Sequence, residues 1–154
     1  MKINLAITTL FIPALLAMSS AQAAIAPAVQ SAQAALQIEV EAPQTTGQIA
    51  IAIYRDADSF RRSAEPVRTL KLERTGTVTS ASVTGLPPGR YVVAAFQDTN
   101  GDGKLSLNPV GIPREPFGFS SNARARFGLP SFDSAAFSLT ASGAAQRVVL
   151  RGLF

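Results

Sequence analysis

The length, composition and charge of the chain exclude several classes of protein. It has 154 residues, which favours a single domain, and a formal net charge of +4 from basic residues that are spread out, whereas nucleic-acid binding requires a clustered basic surface. It has no His, Cys or Trp, so the commonest catalytic base, thiol nucleophiles, thiolate metal ligands and disulfide bonds are absent.

The N-terminal segment has the pattern of a secretory signal peptide. Lys2 precedes an apolar run over residues 3–17, and a small-residue A-x-A pattern ends at Ala23. The run is shorter than the roughly 20 apolar residues that a bilayer-spanning helix needs, which argues against a membrane anchor. We therefore predict a cleaved signal helix over residues 1–23, a periplasmic or secreted location, and no membrane span after cleavage.

The remaining chain is predicted to be a disordered lead-in followed by one domain of short strands. Residues 24–35 are rich in Ala and Gln without a pattern, and the domain is expected over residues 36–154. Seven segments have strand patterns, namely residues 36–41, 48–54, 67–73, 77–84, 91–97, 135–139 and 147–151. In the second of these, Ile49, Ile51 and Ile53 are expected to point the same way.

The spacing of these segments predicts the fold class. Turn residues separate them at intervals that are typical of sandwiches, with a helical turn expected near Ser59 and Phe60. The predicted fold is all-β: a single antiparallel β-sandwich of about seven strands, either immunoglobulin-like or prealbumin-like.

A long segment, residues 103–131, precedes the sixth predicted strand. Loops beyond about 12–15 residues are usually functional or disordered. Its large apolar side chains include Phe117, Phe119, Phe127 and Leu129, and Phe132 follows directly. A disordered tract would not be so rich in aromatic residues, so we predict an ordered loop that packs on the sandwich and covers an edge or an end.

Oxygen-bearing side chains alternate at the start of this region in a D-x-N-x-D-G pattern. Calcium prefers six to eight oxygen ligands in a tight curve, and this pattern supplies three of them with a sharp turn at Gly103. A backbone carbonyl and a hydroxyl could add two more ligands. The candidate calcium ligands are Asp98, Asn100, Asp102, Lys104 and Ser106.

Two interpretations of this loop remain open. In a helix–loop–helix calcium site the twelfth position is a bidentate Glu, but here it is Pro109 and the flanking segments are strands. A further ligand would have to come from elsewhere, with Asp56, Asp58 and Asp133 as the candidates. The alternative is a hairpin-type turn, since Asn-Gly and Asp-Gly are favoured turn dipeptides whose side-chain oxygens accept backbone N–H groups. On that interpretation the protein needs no cofactor.

Residues 111–133 combine arginines with aromatic rings and predict a candidate ligand surface. The rings could stack on a ligand while the arginines donate to carboxylate, phosphate or sugar groups of a small molecule, a glycan or a protein. The candidate residues are Arg114, Glu115, Phe117, Phe119, Asn122, Arg124, Arg126 and Phe127. The alternative is a structural cap, in which the rings plug the sandwich and the polar groups satisfy the loop's own backbone or pair with Glu115 or Asp133.

Catalytic residues are not predicted. The glycines match neither a phosphate-binding loop nor a dinucleotide fingerprint. A hydrolase that uses Glu115 and Asp133 as its acid and base is the remaining alternative, but nothing in the sequence brings these two side chains together.

Several blocks in one order resemble a known family. They are residues 86–91 with the following strand, 98–105, 111–115, 118–123 and 127–132 with 135–137. Together they resemble the exported bacterial domain-of-unknown-function family numbered 2141, over about residues 36–153. Many transthyretin-like and collagen-adhesin-type sandwich domains carry a turn similar to the first block, L-P-P-G-x-Y. The resemblance implies an extracytoplasmic β-sandwich without catalytic residues; Ser121 departs from it, since the family's pattern has Asn there.

Overall fold

A computed structural model of the chain describes residues 34–125 and 128–152, which form eight strands and a few short helical segments. The predicted signal peptide, most of the lead-in, Arg126 and Phe127 lie outside the described residues. The elements in chain order are β1 (Leu36–Glu41), β2 (Gln48–Tyr54), α1 (Ala57–Arg62), β3 (Arg68–Glu73), β4 (Val78–Val83), β5 (Gly89–Asp98), β6 (Phe117–Phe119), a 3₁₀ turn (Ser120–Asn122), α2 (Phe132–Ala135), β7 (Phe137–Leu139) and β8 (Ala144–Val149).

The strands form two sheets. The first has the order β4-β1-β8, and the second has the order β3-β2-β5-β6, with β7 also pairing with β5. Every pair is antiparallel except β1 and β8, which run parallel. The prediction of a purely antiparallel fold is therefore wrong at this pair. The first and last strands lie side by side, and such a pairing needs no connecting turn that a sequence pattern could indicate.

The inner faces of the two sheets share one apolar core. The alternation in β2 buries Ile49, Ile51 and Ile53 on the same face, as the sequence predicts. Leu36 of β1 and Val93 of β5 belong to the same core. Each such side chain contributes roughly 1.5–3 kcal/mol on burial, so the alternating strands account for most of the driving force.

The N-terminal end of the described chain also packs against this core. Ala34 is buried, and the Ala35 carbonyl accepts a hydrogen bond from the Ala144 N–H. Ala35, which the sequence assigns to the lead-in, therefore contacts the beginning of β8.

Strand β6 was not predicted, because its three residues, Phe117–Phe119, lie inside the segment that is predicted from the sequence to be a loop. It pairs with β5 in the second sheet, and its first residue also pairs with the segment after β8 in the first sheet. Phe117 and Arg151 exchange two backbone hydrogen bonds of 3.1 and 2.9 Å. This bridge joins the two sheets along one edge.

A second apolar cluster lies on the outer face of the second sheet. Asp56 caps α1 by accepting the Ser59 N–H at 2.8 Å, and hydrogen bonds from the Ser59 hydroxyl and N–H hold the pKa of Asp56 below its ordinary value. The capped helix presents Phe60 to Tyr54 and Phe119, with ring centroids 5.5 and 5.8 Å away in edge-on geometry. The helical turn expected near Ser59 and Phe60 is thus present and covers one end of the sheet.

Candidate functional site

The outer face of the second sheet carries a groove whose floor is made of small side chains. Register places two cross-strand rows there, each running from β3 through β2 and β5 to β6. The first row is Lys71, Ala50, Phe96 and Phe117, and the second is Thr69, Ala52, Ala94 and Phe119. Three of the four positions on the central strands β2 and β5 are alanine. These small side chains leave a depression that the phenylalanine rings border.

The long segment after β5 provides the opposite wall. Gly103, Lys104 and Leu105 border the groove on one side and Leu129 borders it farther along. Together with the floor they enclose an open cavity of about 630 Å³. Sites for small organic ligands typically occupy roughly 300–1,000 Å³ and are mostly apolar with a few polar groups, so this groove has both the size and the lining of such a site.

The two ends of the groove differ in polarity. At one end the Lys71 ammonium lies against the loop, since a methyl group built on Gly103 would come within 2.6 Å of Nζ, and Lys104 is the next residue. Toward the other end the lining includes Tyr54 and Phe119, which belong to the apolar cluster around α1. Burial raises the pKa of the Tyr54 phenol, so it stays neutral at ordinary pH.

The loop over residues 98–106 is closed by its own side-chain oxygens. The two oxygens of Asp98, which is 2% exposed, accept the Gly101 N–H at 2.7 Å and the Gly103 N–H at 2.8 Å. Asp102 accepts the Lys104 N–H at 2.8 Å, and this bond and one from the Asn100 amide hold its pKa below the ordinary value. These are the hydrogen bonds of a tight turn, the alternative interpretation of this loop.

Glu115 is the residue that ties this loop to the rest of the segment. It is 3% exposed, and its Oε1 accepts the Thr99 N–H at 2.8 Å while its Oε2 accepts the Ser106 N–H at 3.0 Å. One carboxylate therefore holds both ends of the loop. The sequence suggested Glu115 for a ligand surface or for catalysis and did not connect it with this loop.

The acidic residues suggested as additional calcium ligands have other partners. Asp56 caps α1, Asp58 pairs with Arg61 at 2.7 Å, and Asp133 pairs with Arg90 at 2.8 Å. Within residues 34–125 and 128–152, no three acidic side chains are grouped so that they could hold a metal ion. Glu115 and Asp133, the pair suggested for a hydrolase, have different partners: Glu115 accepts the Thr99 and Ser106 N–H groups, and Asp133 pairs with Arg90.

The structure separates the predicted ligand residues into different places. Phe117 and Phe119 border the groove, and together with Asn122 and Arg124 they also line a smaller cleft of about 100 Å³ beside β6 and the end of β8. The exposed Arg114 donates its backbone N–H to the Ser106 carbonyl. Glu115 is buried in the loop, and Arg126 and Phe127 lie outside the described residues. Four of the predicted residues, Phe117, Phe119, Asn122 and Arg124, therefore share the small cleft, whereas Arg114 and Glu115 lie at the loop over residues 98–106.

Ser120 anchors the segment to the sheet and was not singled out from the sequence. Its fully buried hydroxyl accepts the Val93 N–H at 2.9 Å and donates to the Ala135 carbonyl at 2.6 Å. It thereby connects β5 with α2 and fixes β6 beside the groove. The groove floor was also missed, although the Ile-Ala alternation of β2 already indicates one face with only small side chains.

Comparison with known proteins identifies one family. A sequence model described as an uncharacterized protein conserved in bacteria, domain-of-unknown-function family 2141, matches residues 38–147 and confirms the resemblance found in the sequence. No curated protein and no solved structure matches the chain. A search for membrane-crossing helices among the described residues finds none of sufficient length and hydrophobicity.

Proposed function

On the premise that the chain belongs to bacterial family 2141, we propose that it is an exported, non-catalytic binding module that holds a small apolar ligand in the groove. The proposed framework is a β-sandwich of immunoglobulin-like or prealbumin-like type. The observation that carries the proposal is the cavity of about 630 Å³ between the alanine floor and the wall formed by the long segment. The signal-peptide pattern of residues 1–23 supports export.

The chemistry of the floor favours an apolar ligand. Ala50, Ala52 and Ala94 present only methyl groups, and Phe117 and Phe119 stand beside them. Removing apolar surface from water stabilises a complex by roughly 25 cal/mol per Å², and flat rings add specific contacts. A molecule placed over the alanines would contact apolar groups on both sides.

Blocking the floor should abolish ligand binding. The neutral fluorescent probe N-phenyl-1-naphthylamine is expected to bind wild-type protein, and Ala52→Phe or Ala94→Phe to weaken binding by at least about tenfold, since a ring would fill the floor. Phenylalanine is favourable in strands, so both variants should fold. Fluorescence titration measures the affinity.

Ser80→Phe is the matched control for this experiment. Ser80 is exposed on β4 in the other sheet, so this variant adds the same ring away from the groove and should bind the probe like wild type. The proposal is wrong if wild type does not bind the probe, or if the floor variants bind it as well as the Ser80 variant does.

A second candidate function is calcium stabilisation of the loop over residues 98–106. What favours it is Glu115, a buried carboxylate that reaches both ends of the loop and could replace the acidic ligand that the sequence lacks at Pro109. Asp98, Asn100, Asp102, the Lys104 carbonyl and Ser106 would be the other candidate ligands. It ranks second because the carboxylates already accept hydrogen bonds from the loop's backbone, and because no three acidic side chains of the described residues, these included, are grouped as a metal site.

The melting temperature tests the calcium candidate. Free calcium at about 100 times its dissociation constant would add roughly 2.7 kcal/mol to the free energy of unfolding and raise the melting temperature by several degrees relative to chelator. Asp102→Ala should remove that difference, because it deletes a candidate ligand from an exposed position. Equal melting of wild type in calcium and in chelator would eliminate this candidate.

A further inference from the structure

Building on the proposed function, we propose that the ligand of the groove is an amphipathic anion: an apolar body with one carboxylate, sulfonate or phosphate group. Among the described residues that line the groove, the charged ones are Lys71 and Lys104, and both are cationic. The groove therefore combines an apolar floor with a positive charge, and its complement carries the opposite charge.

The two lysines reach the same end of the groove from different elements. Lys71 projects from β3 at the edge of the sheet, in the row of Ala50 and Phe96. Lys104 belongs to the loop after β5, and the Lys71 ammonium lies against the adjacent residue, Gly103. Sheet and loop thus place one cation each at the point where they meet.

Neither lysine is neutralised by a salt bridge with a described carboxylate. The Asp102 carboxylate is near enough for the positive charge of Lys104 to contribute to its lowered pKa, but the two form no salt bridge, and the Asp102 oxygens accept the Lys104 N–H, the Asn100 amide and the Ser106 hydroxyl. Both lysines are exposed and line the groove, so an anion bound there would be attracted by two positive charges. This is a specific reason for the ligand to carry a negative group.

The polarity of the groove also orients the ligand. Ala52 and Ala94 form the floor of the groove in the row next to that of Lys71. Tyr54 and Phe119 line the groove beyond these alanines. The anionic group would lie between the lysines, and the apolar body would extend over the alanines toward the rings. Thr69 and Ser63 also line the groove, and both are exposed.

A pair of related probes separates the charge requirement from apolar binding. 1-Anilinonaphthalene-8-sulfonate carries the ring system of N-phenyl-1-naphthylamine with a sulfonate added. Wild type should bind the anionic probe about tenfold more tightly than the neutral one. Lys71→Gln and Lys104→Gln should each weaken anionic-probe binding by about threefold, and the double variant by about tenfold, with a smaller effect on neutral-probe binding.

Two controls make the assignment specific. Arg68→Gln removes one positive charge from an exposed position of β3 that does not line the groove, so it should leave both affinities unchanged. Ala52→Phe should weaken the binding of both probes. That result would place the anionic probe in the groove rather than on an exposed cationic surface. Raising the salt concentration should weaken the binding of the anionic probe and leave the binding of the neutral probe unchanged.

The outcomes distinguish this inference from the proposed function. If the neutral probe binds in the groove but the sulfonate gives no preference, or if the lysine variants behave like the Arg68 variant, the anionic ligand class is wrong and the apolar groove remains. If the floor variants leave the binding of both probes unaltered, the groove itself is not the site and both proposals fail.

Discussion

Replacing Glu115 with alanine is expected to lower the free energy of unfolding by about 3 kcal/mol, because two backbone N–H groups lose a charged acceptor worth roughly 1.5–3 kcal/mol each. Thr99 and Ser106 donate these N–H groups from the two ends of the loop, and the Thr99 hydroxyl adds a contact at 3.2 Å. We expect the total loss to correspond to the lower value for each hydrogen bond, because water can reach Thr99, which is exposed. We expect a melting temperature about 10 °C lower.

Arg114→Ala is the matched control for the Glu115 variant. Arg114 is the preceding residue and is exposed, and its backbone hydrogen bond to Ser106 does not depend on its side chain. Both variants should be melted in chelator, so that any bound ion is removed. If Glu115→Ala melts within about two degrees of Arg114→Ala, then this carboxylate does not hold the loop.

The same variant connects stability with the proposed site. Lys104 and Leu105 lie inside the loop that Glu115 closes, and both line the groove. Releasing the loop should therefore weaken binding of the neutral and the anionic probe even under conditions where the protein remains folded. Glu115 is thus expected to act as a positioning residue for the groove wall.

Most strands could be predicted from the sequence because the alternation of buried and exposed residues is visible within each strand. In β2 every second residue is a buried isoleucine, and in β5, the neighbouring strand of the same sheet, Tyr91, Val93 and Ala95 repeat this period. Period-two alternation is a property of a few consecutive residues, so it is visible without knowledge of the rest of the fold. The parallel pairing of β1 and β8 is not local, and no pattern within either strand indicates it.

The candidate site could be predicted only in part, for the same reason. The sequence indicated the segment that forms one wall, and it included Phe117 and Phe119 among the ligand residues. The floor depends on register, which brings Ala52 opposite Ala94 from strands about 40 residues apart. The sequence also did not indicate that Glu115 holds the loop over residues 98–106. Glu115 reaches Thr99 only after the chain has turned back through Leu107 and Pro113.

Arg124 and Arg114 illustrate that two residues of the same type in one segment need not belong to the same site. Arg124 was grouped with Arg114 because both lie in one aromatic-rich segment. In the structure Arg124 borders the cleft beside Gly118 and Arg151, whereas Arg114 lies next to the buried Glu115. Proximity along an irregular segment of this length does not imply a shared surface, because the chain passes over different parts of both sheets.

Substituting Gly118 with alanine is expected to lower the free energy of unfolding by about 3 kcal/mol, the upper part of the roughly 1–3 kcal/mol range for overpacking. Gly118 is the central residue of β6 and faces the end of β8. A Cβ atom at this position would lie 2.6 Å from the Val149 carbonyl oxygen and 3.1 Å from Val148 Cγ1. A carbonyl oxygen cannot rotate away as a side chain can, so the two sheets would have to separate where Phe117 and Arg151 join them.

Urea denaturation at 25 °C measures this effect, and Gly76→Ala provides the control. Gly76 lies in the turn before β4, where the nearest atom to an added Cβ is the Val78 carbonyl oxygen at 4.0 Å. That substitution should leave stability unchanged or raise it slightly, since alanine restricts the unfolded chain. A Gly118→Ala midpoint equal to that of Gly76→Ala would contradict the close contact between β6 and β8. A large decrease would establish that glycine is required at this position for the two sheets to meet beside the groove.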